Sequence, residues 1–89
     1  MKKVIISGGT RGIGLACVEA FCNNGDKVAF IYKKSDYKAE EIAKKYGAFS
    51  IKADISREDD VKRAVETATQ KLGGVDVLVN NAGISDIGL

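Results

Sequence analysis

The sequence predicts an α/β fold in which a parallel, doubly wound sheet carries helices on both faces, with the strand order 3-2-1-4. Short apolar segments alternate with helix-length segments along the chain of 89 residues, which is the pattern of repeated βαβ units. The apolar segments are nearly continuous rather than alternating, as in strands that helices cover on both sides. A length of 89 residues leaves room for a single domain, residues 1–89.

The first half of the chain contains two predicted strand–helix units. The first strand, Lys3–Ser7, leads through a glycine-rich loop into a helix that ends at an Asn-Asn-Gly signal. The spacing i, i+4, i+7, i+8 predicts the buried face of this helix. That face consists of Ile13, Cys17, Ala20 and Phe21. The second strand is predicted over Lys27–Tyr32 and the second helix over Asp36–Tyr46, with Gly47 just past its end.

The second half adds a third unit and a fourth strand. The third strand is predicted over residues 48–53, and Ser56 is the predicted N-cap of the third helix. Acidic residues follow it, as suits the positive end of a helix. The predicted buried face of this helix consists of Val61, Ala64, Val65, Ala68 and Leu72. A Gly-Gly pair ends the helix, and the fourth strand is predicted over residues 75–79.

Composition argues against several classes of function. A net charge of +2 is too small to indicate a nucleic-acid surface. The sequence has no His, and Cys17 and Cys22 would point about 140° apart on a helix, so no metal site is predicted. No apolar run approaches the ~18 residues of a membrane span. The N-terminus also lacks the apolar stretch of a signal peptide. We therefore expect a cytoplasmic protein with reduced cysteines.

The most informative segment is the glycine-rich loop Ser7-Gly8-Gly9-Thr10-Arg11-Gly12-Ile13-Gly14, between the first strand and the first helix. Gly8 can turn the chain tightly as it leaves the sheet, and Gly12 lets a phosphate approach the free N–H groups of the helix. Gly14 allows the helix to pack closely on the sheet. The strand–turn–helix context favours a nucleotide site over a glycine turn without a ligand. A Walker A loop is excluded because no Gly-Lys-Ser/Thr follows.

Three motifs together resemble those of the short-chain dehydrogenase/reductase family, over essentially the whole chain. The glycine-rich loop is similar to the family signature Thr-Gly-x-x-x-Gly-Ile-Gly, and Asn80-Asn81-Ala82-Gly83 is similar to Asn-Asn-Ala-Gly. Asp54-Ile55-Ser56, after the third strand, resembles the Asp-Val-Ser/Thr segment. Within the family, the residues of the first and last motifs look most like those of β-ketoacyl-acyl-carrier-protein reductases. This resemblance implies a Rossmann-type fold and a role in fatty acid biosynthesis.

The resemblance also implies a cofactor site at the carboxyl ends of the strands. The pyrophosphate and adenosine ribose would lie on Gly8, Gly9, Thr10, Arg11, Gly12, Ile13 and Gly14, with Ile13 against the cofactor. Asp54 would bind the adenine amino group beside the Ile55 backbone. The pocket near the ribose would be lined by Asn81, Ala82 and Gly83. The alternatives are structural, since Asp54 can cap the third helix and Asn80-Asn81 can form a plain turn.

The end of the second strand favours NADP over NAD as the cofactor. A site for NAD usually places an acidic residue there, which holds the ribose 2′-hydroxyl. The sequence instead has Tyr32 followed by Lys33 and Lys34. Arg11, within the glycine-rich loop, is expected to face the same end of the second strand. These cations suit a 2′-phosphate. Two alternatives remain open: the lysines can be a solvated surface pair, and Asp36 is close enough to serve NAD.

The catalytic Ser and the Tyr-x-x-x-Lys pair of the family have no counterpart in this sequence. The residues four positions after the three tyrosines are Asp36, Glu41 and Ser50. We therefore expect the N-terminal, NADP-binding part of a longer reductase, which reduces a carbonyl by hydride transfer and has no catalytic residue within this chain. The alternative is a non-catalytic NADP-binding or scaffolding protein.

The fourth predicted strand is also a candidate for self-association. Residues 75–79 lie at one edge of the predicted sheet, and the segment contains neither Lys nor Pro to block pairing. We expect this edge to pair with a second copy, with a C-terminal part of the reductase, or in aggregates. The alternative is a monomer in which residues 84–89 cover the edge.

Overall fold

Strands and helices alternate through residues 1–8, 10 and 12–80, the part of the chain that the computed structural model describes. The strands are β1 (Lys3–Ser7), β2 (Lys27–Tyr32), β3 (Phe49–Lys52) and β4 (Val77–Asn80). The helices are α1 (Gly12–Asn23), α2 (Asp36–Tyr46) and α3 (Glu58–Leu72). All strand pairs are parallel and the order is β3-β2-β1-β4. The predicted fold class and strand order are confirmed.

The sheet carries one hydrophobic core on each face, because successive side chains of a strand point to opposite sides. Helices α1 and α2 cover one face, whose buried residues are Val4, Ile6, Val18, Val28, Phe30, Ala39, Ile42 and Ala48. Helix α3 covers the other, whose buried residues are Ile5, Ala29, Ile31, Ile51, Ala53, Ala64, Ala68 and Leu72. The near-continuous apolar strands of the sequence are explained by this double cover.

The buried face of α1 is offset from the predicted one. Gly14 and Val18 are the buried residues of the helix, whereas Ile13 is 73% exposed and Ala20 is exposed. Cys17 and Phe21, which belong to the predicted face, are half-buried against the core. Gly14 has no side chain and therefore gives no apolar signal, although it is one of the two buried residues of the helix.

Helix α3 begins one residue later than its predicted cap implies. Arg57, in extended conformation, is the N-cap residue, and its side chain makes no capping hydrogen bond. The predicted cap, Ser56, bonds to the Asp54 carboxylate instead. The predicted acidic first turn is present as Glu58, Asp59 and Asp60. The C-terminal ends of α2 and α3 each lead into a glycine with positive φ.

Strands β3 and β4 are shorter at their starts than predicted. The Ala48 N–H closes the end of α2 by donating to the Ala43 carbonyl at 3.0 Å, so β3 begins one residue later. Before β4, Asp76 is fixed to Lys3 by two bonds, from its N–H to the Lys3 carbonyl (2.7 Å) and from the Lys3 N–H to its carboxylate (2.8 Å). Val75 stays 41% exposed, and the strand starts at Val77.

Strand β4 forms one edge of the sheet that residues 3–80 build. It pairs with β1, and Leu78, on the same face as α3, is 60% exposed. Among the described helices, we find none that is long and apolar enough to cross a membrane.

Candidate functional site

The carboxyl ends of the four strands meet along one edge of the sheet, and the chain order reverses between β1 and β4. In open α/β sheets, ligands bind in the crevice at such a reversal. Ser7, the last residue of β1, donates its hydroxyl to the Val79 carbonyl (3.3 Å) and to the Asn80 Oδ1 (3.4 Å). The Gly8 N–H donates to the Ile31 carbonyl of β2 at 2.7 Å. These bonds fix the floor of the crevice.

Gly8 and Gly12 are described residues of the glycine-rich loop, and Gly12 is the first residue of α1. Gly8 and Gly12 have φ values of 72° and 60°, which favour glycine over other residues. A Cβ added at Gly12 would have no atom within 4 Å. The first turn of α1 therefore presents open space beside N–H groups that lack partners within the helix. Such a cradle fits a phosphate, which the helix dipole also favours.

An apolar cavity of about 250 Å³ adjoins the crevice on the α3 side of the sheet. Its lining consists of Ser7, Ile31, Ile55, Val61, Val65, Leu78 and Asn80. Polar groups lie only at its strand-end side, and the remaining walls are aliphatic. This arrangement suits a flat, largely apolar heterocycle with a few hydrogen-bonding atoms at its rim.

A second cavity, of about 460 Å³, lies at the ends of β2 and β3 and is rich in charge. Its lining consists of Lys33, Lys52, Ala53, Asp54, Asp60 and Arg63. Three of these six side chains are cationic and two are anionic. Lys33 is the residue predicted to bind the 2′-phosphate, and Asp54 is the residue predicted to bind adenine. Both line this one cavity.

The Asp54 carboxylate bridges the turn before α3 and the end of β2. Its Oδ1 accepts hydrogen bonds from the Ser56 hydroxyl (2.6 Å) and N–H (3.0 Å), and its Oδ2 lies 3.5 Å from the Lys33 Nζ. The Ser56 hydrogen bonds, and then the Lys33 charge, lower the pKa of Asp54 below its usual value. The Asp54 side chain stabilises the turn before α3 but does not cap that helix, whose N-cap residue is Arg57. Its carboxylate also borders the charged cavity.

Asp60 and Arg63 form a hydrogen-bonded clamp that binds the backbone of Asp54. Asp60 Oδ2 accepts the Asp54 N–H at 2.6 Å, and Asp60 Oδ1 accepts two bonds from the Arg63 guanidinium, at 2.8 and 3.0 Å. Arg63 also donates to the Lys52 carbonyl at 2.8 Å. These bonds, the Asp54 N–H first, lower the pKa of Asp60. The sequence analysis missed this clamp; its available signal was an acid–base pair at i, i+3 in an N-terminal helical turn.

A second missed pairing lies at the other side of the cavity, where Asp36 begins α2. Lys52 Nζ lies 3.1 Å from Asp36 Oδ1 and 3.2 Å from Oδ2. Tyr32, the last residue of β2, lies close enough to this carboxylate for each to affect the pKa of the other. The Lys52 hydrogen bond is the main cause of a lowered pKa at Asp36, whereas desolvation and then the Asp36 charge raise the pKa of Tyr32. Asp36 is therefore ionised and already engaged.

The remaining selected residues divide into two groups. Thr10 is half-buried, Ile55 is half-buried against the α3-side core, and Ile13 is largely solvent-exposed at the start of α1. Outside the described residues lie Gly9, Arg11, Asn81, Ala82 and Gly83. Across residues 1–8, 10 and 12–80, no cluster of His, Cys, Asp and Glu could hold a metal ion.

Comparison with known proteins decides the family. The family model described as "short chain dehydrogenase" matches residues 2–88. The chain belongs to the short-chain dehydrogenase family. This result confirms the resemblance seen in the three motifs.

Three similar proteins illustrate the range of relatives of this chain. It is 38% identical over 87 residues to general stress protein 39 of Bacillus subtilis, covering 92% of this chain and 30% of the relative. It is 37% identical over 89 residues to the 3-oxoacyl-[acyl-carrier-protein] reductase FabG of Staphylococcus epidermidis, covering 94% and 36%. A Burkholderia cenocepacia short chain dehydrogenase solved in complex with NADP matches with a TM-score of 0.85 and 33% identity, over 89% of this chain and 34% of that one. The chain spans about a third of the length of these relatives.

Proposed function

We propose that this chain is the NADP(H)-binding part of a short-chain oxidoreductase that reduces a carbonyl by hydride transfer. One observation carries the choice of cofactor: Lys33 follows β2 and lines the charged cavity, and positions 32–34 hold no acidic residue. A bound nicotinamide cofactor supplies the hydride. The residues of this chain bind and orient it.

The phosphate end of the cofactor fits the start of α1. Open space at Gly12 and the free N–H groups of the first helical turn support a pyrophosphate there. Gly9 and Arg11 complete this cradle in our proposal. Ile13, 73% exposed at the mouth of the loop, offers an apolar surface to the cofactor.

The adenosine end fits the two cavities beyond the crevice. The aliphatic cavity, whose lining includes Ile55, supports a purine ring on the α3 side of the sheet. Asp54 is ionised and 29% exposed, so its carboxylate can accept a hydrogen bond from the adenine amino group. We assign Asn81, Ala82 and Gly83 to the ribose side of the same pocket.

The 2′-phosphate is assigned to Lys33. This side chain is 58% exposed and lies 3.5 Å from the Asp54 carboxylate, a distance typical of a weak, solvent-screened ion pair. A phosphate dianion carries more charge than this carboxylate and presents three acceptor oxygens. Lys33 can therefore turn towards a phosphate without losing a strong bond.

One relative supports a proposal for the substrate class. FabG of Staphylococcus epidermidis is named a 3-oxoacyl-[acyl-carrier-protein] reductase, and the glycine-rich and Asn-Asn-Ala-Gly motifs of this chain resemble those of such enzymes. We therefore propose 3-oxoacyl thioester reduction in fatty acid biosynthesis. The two free cysteines, Cys17 and Cys22, suit the reducing conditions of the cytoplasm.

A second candidate function is a non-catalytic NADP-binding or scaffolding protein. The observation in its favour is that none of Tyr32, Tyr37 and Tyr46 has a Lys four residues later. The coding DNA downstream discriminates between the two candidates. An in-frame Ser and Tyr-x-x-x-Lys there supports the reductase, and a stop codon supports the scaffold.

The substitution Lys33→Asp tests the cofactor assignment. Loss of a charge-assisted phosphate contact should weaken NADPH binding by about 1.5 kcal/mol or more, which is about tenfold, and leave NADH binding nearly unchanged. Titration of the purified chain with each nucleotide measures both affinities.

Lys44→Asp is the matched control. It makes the same charge change in the last turn of α2, where Lys44 is exposed and pairs with Glu40. We expect no change in the ratio of the two affinities for this variant. Equal losses of NADPH and NADH binding in Lys33→Asp would contradict the assignment.

A further inference from the structure

Asp36 is an acid close to the end of β2 that the rest of the structure keeps occupied. Both of its oxygens lie near the Lys52 Nζ, at 3.1 and 3.2 Å. Asp36 is the first residue of α2, and Ser35 before it has a φ of 68°, which is uncommon outside glycine. The turn between β2 and α2 is therefore a specific one, and it places this carboxylate beside the end of β3.

Asp36 lies in the region of the fold where an acidic side chain affects the choice between NAD and NADP. In dinucleotide sites of this type, an acid near the end of the second strand binds the ribose 2′-hydroxyl of NAD. Tyr32 and Lys52 are register partners at the ends of β2 and β3, and Lys52 also lines the charged cavity that contains Lys33. One ammonium group thus contacts Asp36 and borders the proposed 2′-phosphate site.

We propose that Lys52 is a specificity-determining residue, which keeps the site selective for NADP by holding Asp36 away from the ribose. The inference rests on the proposed NADP-binding function. With Lys52 present, its ammonium group lies within hydrogen-bond distance of both Asp36 oxygens. The pair is exposed, at 59% and 65%, so it restrains Asp36 only modestly and the expected shifts in affinity are small. Without Lys52, the carboxylate is free to repel a 2′-phosphate and to accept a hydrogen bond from a 2′-hydroxyl.

Loss of Lys52 should change the affinities for NADPH and NADH in opposite directions. An uncompensated carboxylate beside the charged cavity, in solvent, should repel a phosphate dianion and weaken NADPH binding by about three- to tenfold. A carboxylate that only repelled would also weaken NADH binding, since NADH carries a pyrophosphate. A carboxylate that receives the 2′-hydroxyl should tighten NADH binding instead, by about threefold. A gain in NADH affinity is therefore the signature of the proposed mechanism.

Three variants test the inference in the full chain: Lys52→Met, the double variant Lys52→Met with Asp36→Asn, and Lys44→Met. Kd values for NADPH and NADH are measured by titration for each. We expect Lys52→Met to weaken NADPH and tighten NADH. In the double variant the gain for NADH should disappear, because Asn lacks the negative charge. Lys44→Met removes a lysine that also pairs with a carboxylate on α2, and we expect it to leave both affinities unchanged.

A measurement without nucleotide checks the ion pair itself. The carboxyl carbon of Asp36, followed by NMR against pH, should show a pKa below the usual 3.8 in the wild type and a pKa closer to it in Lys52→Met, because Lys52 is the main cause of the lowered pKa.

The outcomes separate the two proposals. If the wild type binds NADPH more tightly than NADH but Lys52→Met leaves NADH binding unchanged or weaker, this inference is wrong and the proposed function stands. A gain in NADH affinity that persists in the double variant also overturns it, since Asp36 is then not the group responsible. If the wild type binds neither nucleotide, the proposed function fails and the inference fails with it.

Discussion

Gly12 gives the sharpest test of the phosphate cradle, because the chain contains a second glycine with nearly the same positive φ. Gly12 has a φ of 60° and Gly47 a φ of 69°, and a Cβ at either position would have nothing within 4 Å. Gly12→Ala and Gly47→Ala therefore impose the same left-handed strain without a steric clash. Only Gly12 lies in the proposed phosphate site.

The expected loss of stability follows from these backbone angles. An Ala in the left-handed region costs about 1–2 kcal/mol. Restricting the unfolded chain returns about 0.4–1 kcal/mol when Gly is replaced. Each variant should therefore lose about 1 kcal/mol of the free energy of unfolding, or about 4–8 °C in Tm for a domain of this size.

The two variants should differ in nucleotide binding. The methyl group that Gly12→Ala adds would occupy the open space beside the first turn of α1, and displacing a charged phosphate from its N–H donors should weaken NADPH binding by about 10- to 100-fold. Gly47→Ala should bind NADPH as the wild type does. Thermal melts and NADPH titrations of both proteins measure these quantities. Wild-type affinity in Gly12→Ala, or an equal loss in Gly47→Ala, would refute the reasoning.

Three further predictions concern stability, association and turnover. The lowered pKa values of Asp54 and Asp60 mean that their contribution to stability is complete above the usual 3.8 and is lost as the pH falls through the lower folded values. Urea unfolding should therefore show Asp60→Asn less stable than the wild type at pH 6, with the difference shrinking towards pH 2; a difference that did not vary with pH would contradict the sign. We expect the chain to self-associate at high micromolar concentration through the β4 edge, and Leu78→Lys to reduce the mass observed by light scattering, because Leu78 is 60% exposed beside that edge; a stable 9.5 kDa species in the wild type would argue against it. The purified chain should not oxidise NADPH with a 3-oxoacyl thioester, since it has no Tyr-x-x-x-Lys pair; turnover above that of a mock purification would show that another group donates the proton.

The fold was predictable because its strands and helix ends have strong local signals. β1, β2 and α2 occupy the predicted ranges, and Gly47 and Gly73 end their helices with the positive φ that such positions favour. Strand order followed from the family resemblance and from the general architecture of doubly wound sheets.

The departures occur where tertiary contacts override local pattern. The buried face of α1 includes Gly14, a residue without an apolar side chain. The start of β4 depends on Asp76 bonding to Lys3, a partner 73 residues away that no local window contains.

The candidate site was predictable where it depends on backbone and not where it depends on side-chain pairs. The glycine-rich loop and the placement of Lys33 and Asp54 in one cavity follow from strand ends meeting at one edge. The Asp36–Lys52 pair joins residues from two different elements. The Asp60–Arg63 clamp binds the backbone N–H of Asp54, six residues before Asp60. Charged side chains are so common on protein surfaces that the sequence alone does not single out such pairs.

The central position of β1 has a consequence for how the chain is synthesised. Its partner on one side, β2, follows after 24 residues, whereas its partner on the other side, β4, follows after 73. Closing the longer loop costs about 1 kcal/mol more in chain entropy. Of the four strands, β1 leaves the ribosome first, and it receives its second neighbour last. Until Val77 emerges, the nascent chain carries an open apolar edge at Val4–Ser7, so translation speed through α3 sets how long the growing protein is exposed to misassembly.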